Sequence, residues 1–148
     1  MSQKRTTNIW MPADDCGRTL PFFTVNLVVS DVARSVAFYT NVIGASVIYS
    51  DVDFAALRIG ELDFLLHADH TYDHHPWGTH LTRGERRGLG TELRLFHTTP
   101  DAVEVRARQH GATILQECKD MPHGWRDVIV VDPDGYTWAV GDATTSPK

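Results

Sequence analysis

Five histidines, His67, His70, His74, His75 and His80, crowd with Asp69 and Asp73 into the stretch LLHADHTYDHHPWGTH. Imidazole and carboxylate are donors that divalent transition metals accept readily, so metal binding is the first chemistry this stretch suggests. Ligands must converge on one point, however, and H-x-x-H spacings are weak evidence without a helix to align them. The surroundings are polar and rich in His and Gly, which favours a solvated loop lining a pocket mouth over a metal site. His67 differs from the others in lying on a strand-like run, Leu62 to His67.

Other residue types point to binding. Glu92 and Arg94, two apart in TELRLFH, share one face of a strand. A ligand-binding pair and an ion pair that only props a cavity are equally good readings of them. Trp77 and Trp125 fall in connections, where an indole either clamps a flat ligand by stacking or plugs the core. Arg126 either meets an anionic ligand or forms a surface salt bridge. No G-x-S-x-G, P-loop, dinucleotide fingerprint or Cys/His dyad stands out, and Gly88-Leu89-Gly90 is too short to cradle a phosphate.

The elements that position these groups follow from periodicity. Phe23 to Val29 alternates as a strand, and Ser30 or Asp31 caps a helix with Val32, Val36, Tyr39 and Ile43 at helical spacing, closed by Gly44. Ser46 to Ser50, Phe54 to Ile59 and Leu62 to His67 are short strands. After the loop the pattern returns: a strand from Thr91 to His97, a helix opened by Thr99-Pro100 and ended by Gly111, and a strand from Thr113 to Gln116. A hairpin over Asp127 to Val140 then turns at Asp132-Pro133-Asp134-Gly135. The phrases GASVI and GATIL match in register, with Gly44 and Gly111 67 positions apart, so the chain holds two copies of one βαβββ unit.

The expected division is an irregular N-terminal tail (1–19), a first module (20–67), a His-rich connecting loop (68–89), a second module (90–141) and a C-terminal tail (142–148). Trp10 is the exception in the tail, since an indole is costly to leave wet, and it can fold back on the domain or on a partner subunit. The expected fold class is α+β, with tandem βαβββ modules forming a curled mixed sheet around a cavity and pairing within one chain or across a dimer. Alternation directs Thr24, Asn26, Leu65, His67, Glu92, Arg94, Phe96 and Thr137 into that cavity. In the last strand it leaves the face of Thr137, Ala139 and Gly141 nearly bare.

With 148 residues, 42% of them hydrophobic, the chain is long enough to bury a core. A net charge of −5 with scattered basic residues argues against a nucleic-acid partner. No run approaches the roughly 20 apolar residues of a membrane span. The polar start MSQKRTTNIW lacks the apolar core of a signal peptide, so a cytoplasmic location is expected. Cys16 and Cys118 make no metal-site spacing, and a reduced pair is favoured over a disulfide.

Three segments, TVNLVVSDVARSVAFYTNVIGA (Thr24 to Ala45), GTELRLFHTTPDAVEVRARQHGA (Gly90 to Ala112) and VDPDGYTWAV (Val131 to Val140), together resemble the vicinal oxygen chelate superfamily of glyoxalases, extradiol dioxygenases and fosfomycin- and bleomycin-resistance proteins. The resemblance implies the paired βαβββ fold, usually in dimers. Metal-dependent members carry four ligands on cavity-facing strand positions, which fall here on Thr24, Leu65, Glu92 and Ala139. Three of these coordinate poorly, and a lone carboxylate holds a divalent ion only weakly.

The resulting expectation is a metal-free homodimeric protein that binds a planar or aromatic organic molecule between its modules, without cofactor and without chemistry. Its candidate ligand-binding residues are Thr24, Asn26, Leu65, His67, Trp77, Glu92, Arg94, Phe96, Trp125, Arg126, Thr137 and Ala139. The alternative is a metal-dependent lyase or dioxygenase with a displaced divalent-metal site at Glu92 and His67, completed by Asp69 or His70. A third reading is a metal-free isomerase or epimerase with Glu92 as general base.

Overall fold

The computed structural model describes residues 4–144. Its elements run α1 (Ala13–Thr19), β1 (Asn26–Val29), α2 (Val32–Phe38, continued by a π-helical turn Tyr39–Ile43), β2 (Ser46–Ser50), β3 (Phe54–Ile59), β4 (Leu62–Ala68), a 3-10 turn Asp69–Tyr72, α3 (Gly78–Thr82), β5 (Glu92–Leu95), α4 (Pro100–Gln109), β6 (Thr113–Asp120), β7 (Trp125–Val131) and β8 (Thr137–Ala143). The α+β class and the repeated βαβββ order are as expected. The strands, however, form two separate four-stranded mixed sheets in place of one curled sheet, ordered β1-β4-β3-β2 and β5-β8-β7-β6. In each, the first pair is parallel and the rest antiparallel.

The chain divides into two compact units. The first comprises the residues up to Val36 with Ala45–Glu85, and the second Ala37–Gly44 with the residues from Arg86 onward. The first helix thus divides between the units after Val36, where the sequence alone suggested an unbroken first module over 20–67. Tyr39 shows why. Its hydroxyl donates to Asp132 Oδ2 at 2.7 Å and accepts from Trp138 Nε1 at 3.2 Å, so burying the ring and satisfying the indole both tie this turn to the last hairpin.

Three further expectations change. The N-terminal stretch is not wholly irregular: it contains α1, whose acidic first turn pairs with its last turn through Arg18 to Asp14 and Asp15 at 2.9 and 2.5 Å. The 68–89 loop contains the 3-10 turn and α3, and β8 runs past residue 141 to Ala143. Asp31 is the helix cap, its Oδ1 accepting from Arg34 N at 2.9 Å. Cys16 and Cys118 are free thiols.

Within the first unit, Leu27, Val29, Leu57, Phe64, Leu66 and Ala68 bury one face of the sheet. Within the second, α4 covers β6, β7 and β8, and Val103, Ala107, Val128, Val130, Trp138 and Val140 form the core. The hairpin turn works as its sequence demands. Asp132 Oδ1 accepts from Asp134 N and Tyr136 N at 2.9 Å each, and Gly135 supplies φ +104°.

Candidate functional site

The opposite face of the first sheet carries the first unit's cavity of about 410 Å³, within the roughly 300–1,000 Å³ usual for small-molecule sites. Its floor is Leu65 and His67 of β4, Phe54 of β3 and Tyr49 of β2, and its roof is the N-terminal segment through Ile9, Trp10, Met11, Cys16 and Leu20. Trp10 stacks on Tyr49 at 4.8 Å with an interplanar angle of 7° and lies 6.5 Å from Phe54. The roof is fastened at its start. Arg5 pairs with Asp51 at 2.8 Å and its backbone N–H donates to Asp53 Oδ1 at 2.8 Å, while Tyr49 Oη donates to Asp51 at 2.7 Å. Burial opposes the charged form of Asp51, but the Arg5 guanidinium, the Tyr49 hydroxyl and the Asp53 and Phe54 amides outweigh it and hold the carboxyl below its usual range.

His67 sits on this floor with its ring edge-on to Phe54 at 4.9 Å. Its Nδ1 meets Asn26 Oδ1 at 2.6 Å, and Asn26 Nδ2 donates to Tyr72 Oη. Burial lowers the pKa of this imidazole. Thr24 lies beside the same sheet, its hydroxyl donating to the Asp63 carbonyl.

Two other histidines of the cluster meet carboxylates. His70 meets Asp53 at 2.9 Å and His80 meets Glu85 at 2.8 Å. Trp77 lies in an aromatic cluster with His75 and Tyr72, at 4.6 and 5.0 Å, and is not among the residues that line this cavity.

In the second unit the expected strand face gathers around Arg94. Its guanidinium meets Asp127 at 2.9 Å and Glu92 at 3.4 Å, and lies 5.9 Å from the Phe96 ring centre. Phe96 packs edge-on against Trp125 at 5.1 Å. Trp125 is the first residue of β7 and not part of a connection. Thr137 and Ala139 pair with Glu92 and Arg94 across the β5–β8 ladder. Arg126 forms the surface salt bridge that was one of its two readings: it reaches Asp101 at 2.7 Å and Asp120 at 3.1 Å, which raises its pKa and lowers that of Asp101.

Of the four strand positions that would hold a metal, Thr24 has its hydroxyl proton on a carbonyl, Leu65 and Ala139 present hydrocarbon, and Glu92 faces Arg94. In neither unit do these positions supply the three or more N/O donors that a divalent ion requires. Among the described residues, no three His, Cys, Asp or Glu side chains converge as a cation site requires.

Sequence reasoning missed the roof, Tyr49 and Phe54, and Asp127. The available signals were Trp10, flagged as too costly to leave wet, and the alternation that puts Phe54 on the same side as His67. Residues 20–140 match the Glyoxalase/Bleomycin resistance protein/Dioxygenase superfamily. An uncharacterized protein of Mycobacterium bovis is 29% identical over 127 residues, 82% of either chain. Among solved structures, a glyoxalase/bleomycin resistance protein/dioxygenase from Nocardioides superposes with a TM-score of 0.66 at 21% identity, covering 86% of each chain. A family enzyme from Burkholderia phytofirmans superposes with a TM-score of 0.66 at 21% identity, covering 81% of this chain and 96% of its own. At those identities the structural likeness speaks for the fold.

Proposed function

The chain belongs to the glyoxalase/bleomycin resistance protein/dioxygenase superfamily, and within it we propose a metal-free binding protein that holds a planar or aromatic organic molecule in the cavity of the first unit. The observation that carries this reading is the cavity itself: three aromatic rings, Trp10, Tyr49 and Phe54, beside Leu65 and a single imidazole, with one wall formed by chain from outside the repeated module. Flat rings gain about 0.5–1.5 kcal/mol from stacking beyond the area they bury. The weak donors at Thr24, Leu65 and Ala139, and the pairing of Glu92 with Arg94, support binding without a metal. A displaced metal site lacks such support, since His70 is engaged by Asp53 and Glu92 by Arg94. An isomerase based on Glu92 would need a buried carboxyl, and this one is exposed.

Self-association is part of the same reading. The edge strands β2 and β6 expose Val47, Ile48 and Leu115, and uncovered apolar edges favour a partner. Light scattering on the purified chain is expected to give a dimer mass, and a monomer at micromolar concentration would remove this part.

Thermal-shift screening of untagged protein against planar aromatic compounds tests the binding. A ligand at 100 times its Kd adds about 2.7 kcal/mol to the folded state and raises Tm by several degrees. The expectation is a shift with aromatic compounds, no stoichiometric transition metal by elemental analysis, and no effect of a chelator on the shift. A stoichiometric metal would replace this reading with the metal-dependent one.

A further inference from the structure

The polar groups around the cavity are mostly satisfied. Arg5 is held by Asp51 and Asp53, Asp53 also meets His70, and Thr71 Oγ1 donates to Ala68 O. His67 is different. Its Nδ1 lies 2.6 Å from the Asn26 amide oxygen, an atom that only accepts, so this contact is a hydrogen bond in the neutral tautomer that has its proton on Nδ1 and its lone pair on Nε2. Asn26 is fixed in this orientation by donating through Nδ2 to Tyr72 Oη. Among the described residues, no protein group donates to Nε2.

The partner on Nδ1 is a neutral amide. It orients the ring without stabilising an imidazolium as a carboxylate would, and burial also disfavours the charged ring. The group on the cavity floor is therefore a fixed hydrogen-bond acceptor and a poor proton acceptor.

We infer that the cavity selects planar aromatic molecules carrying a ring hydroxyl or ring N–H, bound in neutral form with that donor directed at His67 Nε2. This rests on the reading of the cavity as a ligand site. The surrounding apolar wall cannot tell such a molecule from its methylated analogue, whereas an acceptor left unpaired can. Asn26 and Tyr72 are positioning residues in this scheme, holding the imidazole in the tautomer that accepts.

The test compares 2-naphthol with 2-methoxynaphthalene, which has the same ring system without the donor, by calorimetric titration of the full chain. The expected result is that 2-naphthol binds about tenfold more tightly, the worth of one buried hydrogen bond, and that its bound absorbance is that of the neutral naphthol. In His67→Phe, which keeps a ring and removes the acceptor, the preference falls to within about twofold. Should that variant not fold, the nitrogen chemical shift of His67 Nε2 in the wild-type chain decides, because it moves when the lone pair accepts a hydrogen bond. Equal affinities for the two compounds, a preference that survives His67→Phe, a bound naphtholate spectrum or an unmoved Nε2 shift would each overturn the inference while leaving the cavity a ligand site. Binding of neither compound would overturn both.

Discussion

Tyr39 shows how much one side chain can join. It is fully buried, and its hydroxyl donates to Asp132 while accepting from the Trp138 indole. Burial raises the pKa of both Tyr39 and Asp132, so the pair stays hydrogen-bonded as a phenol and a desolvated carboxyl. Tyr39→Phe removes one hydrogen bond from each of Asp132 and Trp138, and urea denaturation is expected to show a loss of about 1–3 kcal/mol. The sequence marked Tyr39 as an apolar position on a helix and Asp132 as a turn residue; nothing in periodicity links positions so far apart. Gly141 makes a related point. Alternation correctly made its strand face bare, but the space is taken by a residue on the neighbouring strand, since a Cβ on Gly141 would fall on Asp127 Oδ1 and on the Arg126 carbonyl. Gly141→Ala is accordingly expected to break the Arg94–Asp127 pair and to cost about 1–3 kcal/mol by overpacking. An unchanged denaturation midpoint would contradict that packing.

At the scale of elements, strands β2 and β3 and helix α4 were legible almost to the residue, because their apolar spacing and their Gly and Pro boundaries agree. The N-terminal segment was not. Helix α1 is only 7 residues long and buries none of them, so it has no amphipathic signal, and its role appears only once the sheet face beneath it is known. Its anchor at Asp51 has a pH signature. A carboxyl held below its usual range contributes fully above the ordinary carboxylate pKa, and that contribution disappears as pH falls through the lowered value. Acidification is therefore expected to release Arg5 and to unstack Trp10 from Tyr49 before the sheets unfold. The emission difference between wild type and Trp10→Phe reports it, and Asp51→Asn should show the released signal already at neutral pH. A difference spectrum that is identical in Asp51→Asn and wild type would remove the anchor.

For the molecule as a whole, the repeated phrases GASVI and GATIL were enough to foresee two βαβββ modules, because each copy of a repeat buries the same kind of face. The cavity was only half legible. Strand alternation pointed to Leu65 and His67, but what encloses them comes from residues 9 to 20, outside the repeat. The described residues contain no helix long and apolar enough to cross a membrane. The central claim, that the first unit grips a flat organic molecule by shape and needs no ion, is tested most directly by nuclear magnetic resonance on chelator-treated protein titrated with 2-naphthol. The account predicts shifts centred on Trp10, Tyr49, Phe54, Leu65 and His67, unchanged when a divalent metal is added back. Shifts that vanish under chelation and return with the metal would contradict it.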